Sequence, residues 1–145
     1  MDALFKYYEG SMENFISQAR NEGDNNLIKI RLVPSSMPEY PGYWHVLDNF
    51  AVKHIMHRHS GNRERLRGQE PVTLTDFFLI IQIVLEADSI QTTKCANGNQ
   101  GLIYTKKIND EIYTLIEEVR KGHSELAATT LYKRKKKLTD AKSPI

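Results

Sequence analysis

A single cysteine, Cys95, serves the whole 145-residue chain, which excludes an intramolecular disulfide and a cysteine-based zinc finger. That usage is compatible with a reducing interior. Long apolar runs are missing as well. The most apolar stretch, "FFLIIQIVL", has nine residues and is interrupted by Gln82, far short of the roughly 20 needed to cross a bilayer. No apolar run of signal-peptide type opens the chain, and neither repeats nor a long low-complexity linker occur. A soluble cytoplasmic protein with no membrane contact is the expectation. The excess of one charge is small too: a formal net charge of +2 does not by itself announce a nucleic-acid binder.

What is present is an ordinary globular composition, 40% hydrophobic and 26% charged, at a length that fits one domain with a real core. The charge is unevenly placed. Segment 53–67 carries Lys53, Arg58, Arg63, Arg65 and Arg67 against Glu64, and 133–137 reads "KRKKK". A fold that joins these two blocks makes one basic patch.

Residues 2–20 have scattered helical spacing broken near Gly10, and "NEGDNN" is a turn. "LIKIRLV" (27–33) alternates and reads as a strand. "PSSMPEYPG" is an irregular connection, and Tyr43 and Trp44, beside His45, are read as capping the core. Asp48 is a candidate N-cap for a helix over about 49–59 that Gly61 can end. Thr73 and Asp76 have the form of a capping box before a helix to Leu85, apolar nearly all round and therefore expected to be mostly buried. "DSIQTT", "LIYTKK", "EIYTLIEEV" and "LAATTLYKRK" are strand candidates separated by the turns "CANGNQG", "IND" and "KGHSE". The predicted class is α+β, with N-terminal helices packed on an antiparallel sheet of about four strands. The predicted division is a helical segment 1–26, a domain 27–137 and a tail 138–145.

Three histidines, His54, His57 and His59, crowd "AVKHIMHRHSGNRERLRG". A metal reading sets His54 and His57 on one helix face with His59 or His45 as a third ligand, but the flanking lysines and arginines repel a dication and only Glu64 is near. No metal site is assigned and no cofactor is expected. At about 100° per residue, Leu47, Phe50, Ala51 and Ile55 form an apolar stripe that contains His54 and Arg58, with His57 and His59 to either side. Groups so placed either find partners in the core or line a cleft. In a cleft, histidine exchanges protons near neutral pH and arginine holds phosphate, which is the equipment of metal-free phosphodiester cleavage. Two bland readings stand beside it: a satisfied core histidine and a solvated helix end.

The stretch "KHIMHRH", of the form His-Ile-x-x-Arg-His, then "PVTLTDF", "GLIYTKKI", "EIYTLIEEV" and "TTLYKRK", resembles the phage- and toxin-associated nucleases grouped with barnase, EndoU, the tRNA-cleaving colicins and RelE. The resemblance covers roughly residues 27–135. It implies helices followed by a four-stranded antiparallel sheet whose face carries the active site of a metal-independent ribonuclease. It implies catalytic roles for His54, Arg58, His59, Lys106 and Thr130. His54 exchanges the proton with His59 as counterpart, Arg58 and Lys106 stabilise the phosphorane, and Thr130 bonds a phosphoryl oxygen. On a continuous helix His54 and His59 diverge by about 140°, so sharing a site requires the helix to end near residues 58–60; His57 is the alternative second histidine. Candidate substrate-binding residues are His57, Tyr104, Tyr132, Lys133 and Arg134, the tyrosines by stacking and the cations by tracking phosphate. The implied partners are RNA, tRNA or mRNA among them, and an inhibitor or immunity protein. The alternatives are a non-catalytic RNA- or phosphate-binding module and a phage-associated interaction protein with inert histidines.

Overall fold

The computed structural model describes residues 7–23 and 25–137; the expected tail 138–145 lies outside the described residues. Helix α1 (Met12–Asn21) starts where Ser11 accepts from the Asn14 amide. Strands β1 (Lys29–Pro34) and β2 (Trp44–Asp48) then lead into α2 (Asn49–His59). A short helix α3 (Arg63–Leu66), a 3₁₀ segment (Leu74–Leu79) and α4 (Ile80–Glu86) follow. The chain ends in a run of strands: β3 (Ser89–Lys94), β4 (Gln100–Ile108), β5 (Glu111–Arg120) and β6 (Glu125–Lys135).

Local chemistry sets several of these boundaries. Asp48 Oδ1 accepts from the Ala51 amide at 2.8 Å and so caps α2, supplying one acceptor to the orphan donors of a helix start. The Thr73–Asp76 capping box forms. Asn109 takes φ 58° in the two-residue turn between β4 and β5, a conformation that asparagine tolerates better than most side chains.

The architecture is α+β, but the sheet has six strands, in the order β1-β2-β6-β5-β4-β3. It is mixed, because β2 runs parallel to β6 while the other neighbours are antiparallel. Expecting about four strands undercounts it. Residues 44–48 are a strand that runs beside β6 and leads directly into a helix. All but Trp44 are buried, so no alternation betrays it, as is common for strands with a parallel partner.

Alternation along the ladder gives the sheet two unlike faces. Tyr104, Leu115 and Leu131 stand opposite one another, as do Lys106, Tyr113 and Lys133. This face meets the helices in one apolar core with Ile55, Phe77 and Ile80. The other face, with Thr105, Thr114, Ile116, Thr130 and Tyr132, stays half-exposed. The 3₁₀–α4 segment is less buried than its composition suggests. Phe78, Ile81 and Leu85 are exposed, because only the Phe77, Ile80, Ile83, Val84 side reaches the sheet.

Candidate active site

Strand β2 pairs with only the first residues of β6, through Ala127, and α2 packs along β6 beyond that point. The junction leaves a hollow of about 330 Å³ lined by Asp48, Phe50, Ala51, His54, Arg120, Ala128, Thr129 and Thr130. A bulge in β6 shifts the register against Ile116 and Glu117. The extra residue, Thr129, bonds the Ile116 carbonyl at 3.1 Å, and consecutive threonines come to line one hollow. Bulges commonly re-aim side chains in this way.

The phase of α2 differs from the wheel. Its buried side is Asn49, Ala51, Val52, Ile55 and His59, whereas Phe50, His54 and Arg58 are exposed. Leu47 belongs to β2 and therefore says nothing about helix phase. His54 consequently faces the hollow and His59 faces inward. Partial burial, then the charges of His59, Arg58 and His57, hold the His54 pKa below its usual 6.5, so its imidazole is neutral at neutral pH and can accept a proton.

His59 is held from behind. Its Nδ1 lies 2.9 Å from Glu64 Oε2, and Glu64, fully buried, meets Arg67 at 3.1 Å. The His59 ring lies 5.6 Å from that of Tyr132 and 6.3 Å, edge to face, from that of His54. The two motif histidines therefore meet although five residues separate them. Helix α2 ends at His59, with Ser60 as its C-cap.

Arg120 is fixed from two sides: Nε donates to Glu118 at 2.8 Å and Nη1 to Asp48 at 3.3 Å. A guanidinium has five N–H donors, so donors remain for a ligand. Burial opposes the charge of Arg120, but the bonds and charges of Glu118 and Asp48 outweigh it and raise the pKa. Asp48 thus both caps α2 and holds Arg120. No group of three or more histidine, cysteine, aspartate or glutamate side chains is arranged to hold a metal among the described residues.

Residues 36–141 match the family model described as phage-Barnase-EndoU-ColicinE5/D-RelE like nuclease3. The chain belongs to this nuclease family. The matched span contains every residue of the hollow, while α1 and β1 precede it. No curated protein and no solved structure matches the chain.

Within this family member, His54 and Thr130 share the hollow, His59 adjoins His54, and Tyr132 adjoins His59. Arg58, one turn after His54, is exposed and has no ion pair among the described residues, and His57 is exposed on the same helix. Three expected members do not join them. Lys106 stands opposite Tyr113 on the helix-covered face and reaches Asp88 at 3.4 Å. "IYTKK" alternates equally well in either phase, so the face is decided by pairing. Tyr104 is fully buried, and its hydroxyl donates to Glu117 at 2.6 Å, which leaves no ring face for a base. Lys133 is buried between Asp76 at 3.0 Å and Glu111 at 3.2 Å. Arg134, one residue on, lies on the half-exposed face. His45, a candidate third ligand in the metal reading, is buried with Nδ1 2.8 Å from Glu117.

Sequence reasoning does not single out Arg120, and it names Glu64 only as the carboxylate near the histidines. Alternation along "EIYTLIEEVR" does put Arg120 on the face of Thr114 and Ile116, and that was the available signal. Glu64 lies five residues after His59, across a helix end whose turn no local pattern specifies.

Proposed function

We propose that the chain is a metal-independent endoribonuclease. The RNA 2′-hydroxyl attacks the adjacent phosphorus, the bond to the 5′-oxygen breaks, and the products end in a 2′,3′-cyclic phosphate and a 5′-hydroxyl. His54 takes the 2′-hydroxyl proton, and His59 gives one to the leaving 5′-oxygen. Arg58 and Arg120 stabilise the charge that develops on the phosphorane, and Thr130 donates to a phosphoryl oxygen. The nucleophile belongs to the substrate, which accounts for a site without serine or cysteine and makes RNA, not DNA, the substrate. A cytoplasmic setting and an inhibitor protein that covers the hollow belong to the same reading.

The observation that carries it is the meeting of a neutral, exposed His54 with Thr130 and Arg120 in one open hollow, edge-on to a carboxylate-held His59. The test is cleavage of labelled RNA, tRNA included, in EDTA by the wild type and by His54→Ala. We expect cyclic-phosphate ends from the wild type and a rate lower by about 10²- to 10⁴-fold in the variant. Folded protein that leaves every RNA intact would sink the catalytic reading and make the hollow a docking site for phosphate.

A further inference from the structure

We infer that a second hollow, between the β3–β4 turn and the β5–β6 turn, is a binding subsite for single-stranded RNA that continues past the first hollow. The inference rests on the reading of the first hollow as an RNA site. Arg120 lines both hollows, so a chain whose phosphate meets Arg120 reaches the second one directly. Its volume is about 1050 Å³, at the top of the ~300–1,000 Å³ range of ligand clefts.

Its charge suits a phosphate backbone. Lys94 at the end of β3 and Lys121 in the β5–β6 turn are exposed, and neither makes an ion pair among the described residues; with Arg120 they face a single carboxylate, Glu118. That carboxylate is already engaged. Asn97 and Asn99 donate to one oxygen and Arg120 to the other. Burial pushes the Glu118 pKa up, but these bonds outweigh it and hold it below the usual carboxylate range. The same bonds tie the β3–β4 turn across to β5. Within the turn, Cys95 N–H donates to the Asn99 carbonyl at 2.8 Å, and Gly98 at φ 89° closes it. The wall is therefore preorganised, and ordering it on binding costs little.

His123 is the one aromatic ring on this wall among the described residues, so affinity comes from phosphate pairing and hydrogen bonds rather than from stacking, and depends strongly on salt. A concavity between two turns suits an unpaired strand whose bases splay apart, not an A-form helix.

The test uses the full chain and fluorescent 2′-O-methyl oligonucleotides of two to eight residues, which bind without being cut. Anisotropy titrations compare the wild type with Lys94→Glu/Lys121→Glu, both exposed positions outside the first hollow; circular dichroism checks that the variant is folded, and Lys94→Ala/Lys121→Ala provides a milder version. Wild-type affinity should rise at least about tenfold with length, and the charge reversal should abolish the rise while leaving the dinucleotide affinity unchanged. The milder variant should also lower the log–log salt slope by about 1.4 for two lost phosphate contacts. An affinity that ignores length, or a loss equal at every length, would overturn the subsite, even if RNA is cut. Length-dependent binding that the charge reversal abolishes, in a protein that cuts no RNA, would support the subsite while the ribonuclease reading fell.

Discussion

Replacing Glu64 asks whether His59 is positioned for chemistry or only buried. Glu64 is fully buried and accepts from His59 Nδ1 at 2.9 Å; its other oxygen meets Arg67, whose side chain is 41% exposed. In Glu64→Ala the buried Nδ1 loses its acceptor, which costs about 1–3 kcal/mol. The exposed Arg67 adds less than about 1 kcal/mol. A total of about 1–4 kcal/mol is a large share of a typical domain stability of about 5–15 kcal/mol, so this variant should shift urea unfolding plainly. Glu64→Gln is the more telling change. Its amide oxygen still accepts from Nδ1, so the ring keeps its place at a cost of about 1 kcal/mol, but the negative charge behind the ring is gone. The kcat of Glu64→Gln should fall about ten- to a hundredfold, below the loss expected for removing an acid–base residue outright, with KM little changed. Folded Glu64→Gln that cuts RNA with the wild-type kcat would refute the positioning role. Glu64→Ala that loses less than about 0.5 kcal/mol would show that the contact holds nothing.

The pKa of His54 lies below 6.5 and its neutral form is the proposed base, so kcat/KM should rise with pH through a value under 6.5 and level off above it. His57→Gln removes one of the cationic neighbours and should move the acid limb to higher pH; a limb that stays put would exclude that coupling. Lys133→Met should leave RNA affinity unchanged despite its place in the "KRKKK" run, because its ammonium is bound to Asp76 and Glu111; a clear loss in an RNA titration would count against this. Asp76→Ala strips acceptors from Thr73 N–H, Tyr113 and Lys133 together and should cost about 3 kcal/mol or more in urea unfolding. Burial raises the Glu117 pKa above its ordinary 4.5 despite the His45 and Tyr104 bonds. A raised acid contributes stability that is full below 4.5 and is lost as pH rises through the folded value, so Glu117→Gln should flatten the melting temperature across that window. An unchanged slope would refute it.

Much of this was legible in the chain because it depends on near neighbours. Asp48 as a helix cap, the Thr73–Asp76 box and the turns at Asn97–Gly98 and Asn109–Asp110 are contacts within a few residues, and α2 spans 49–59 as its end signals indicate. The histidine cluster could be located for the same reason. What local pattern does not contain is phase and pairing. The side of α2 that meets the core depends on β2 ending at Asp48 rather than on helical spacing. Lys106 and Thr130 lie on opposite faces because the register sets Lys106 against Tyr113 and Thr130 against Ile116, and a one-residue slip would exchange the faces. His59 reaching Tyr132, and Arg120 reaching Asp48 across 72 residues of chain, exist only once the strands are laid side by side. Short-range hydrogen bonds shaped the elements, while long-range packing chose which of their side chains share a site.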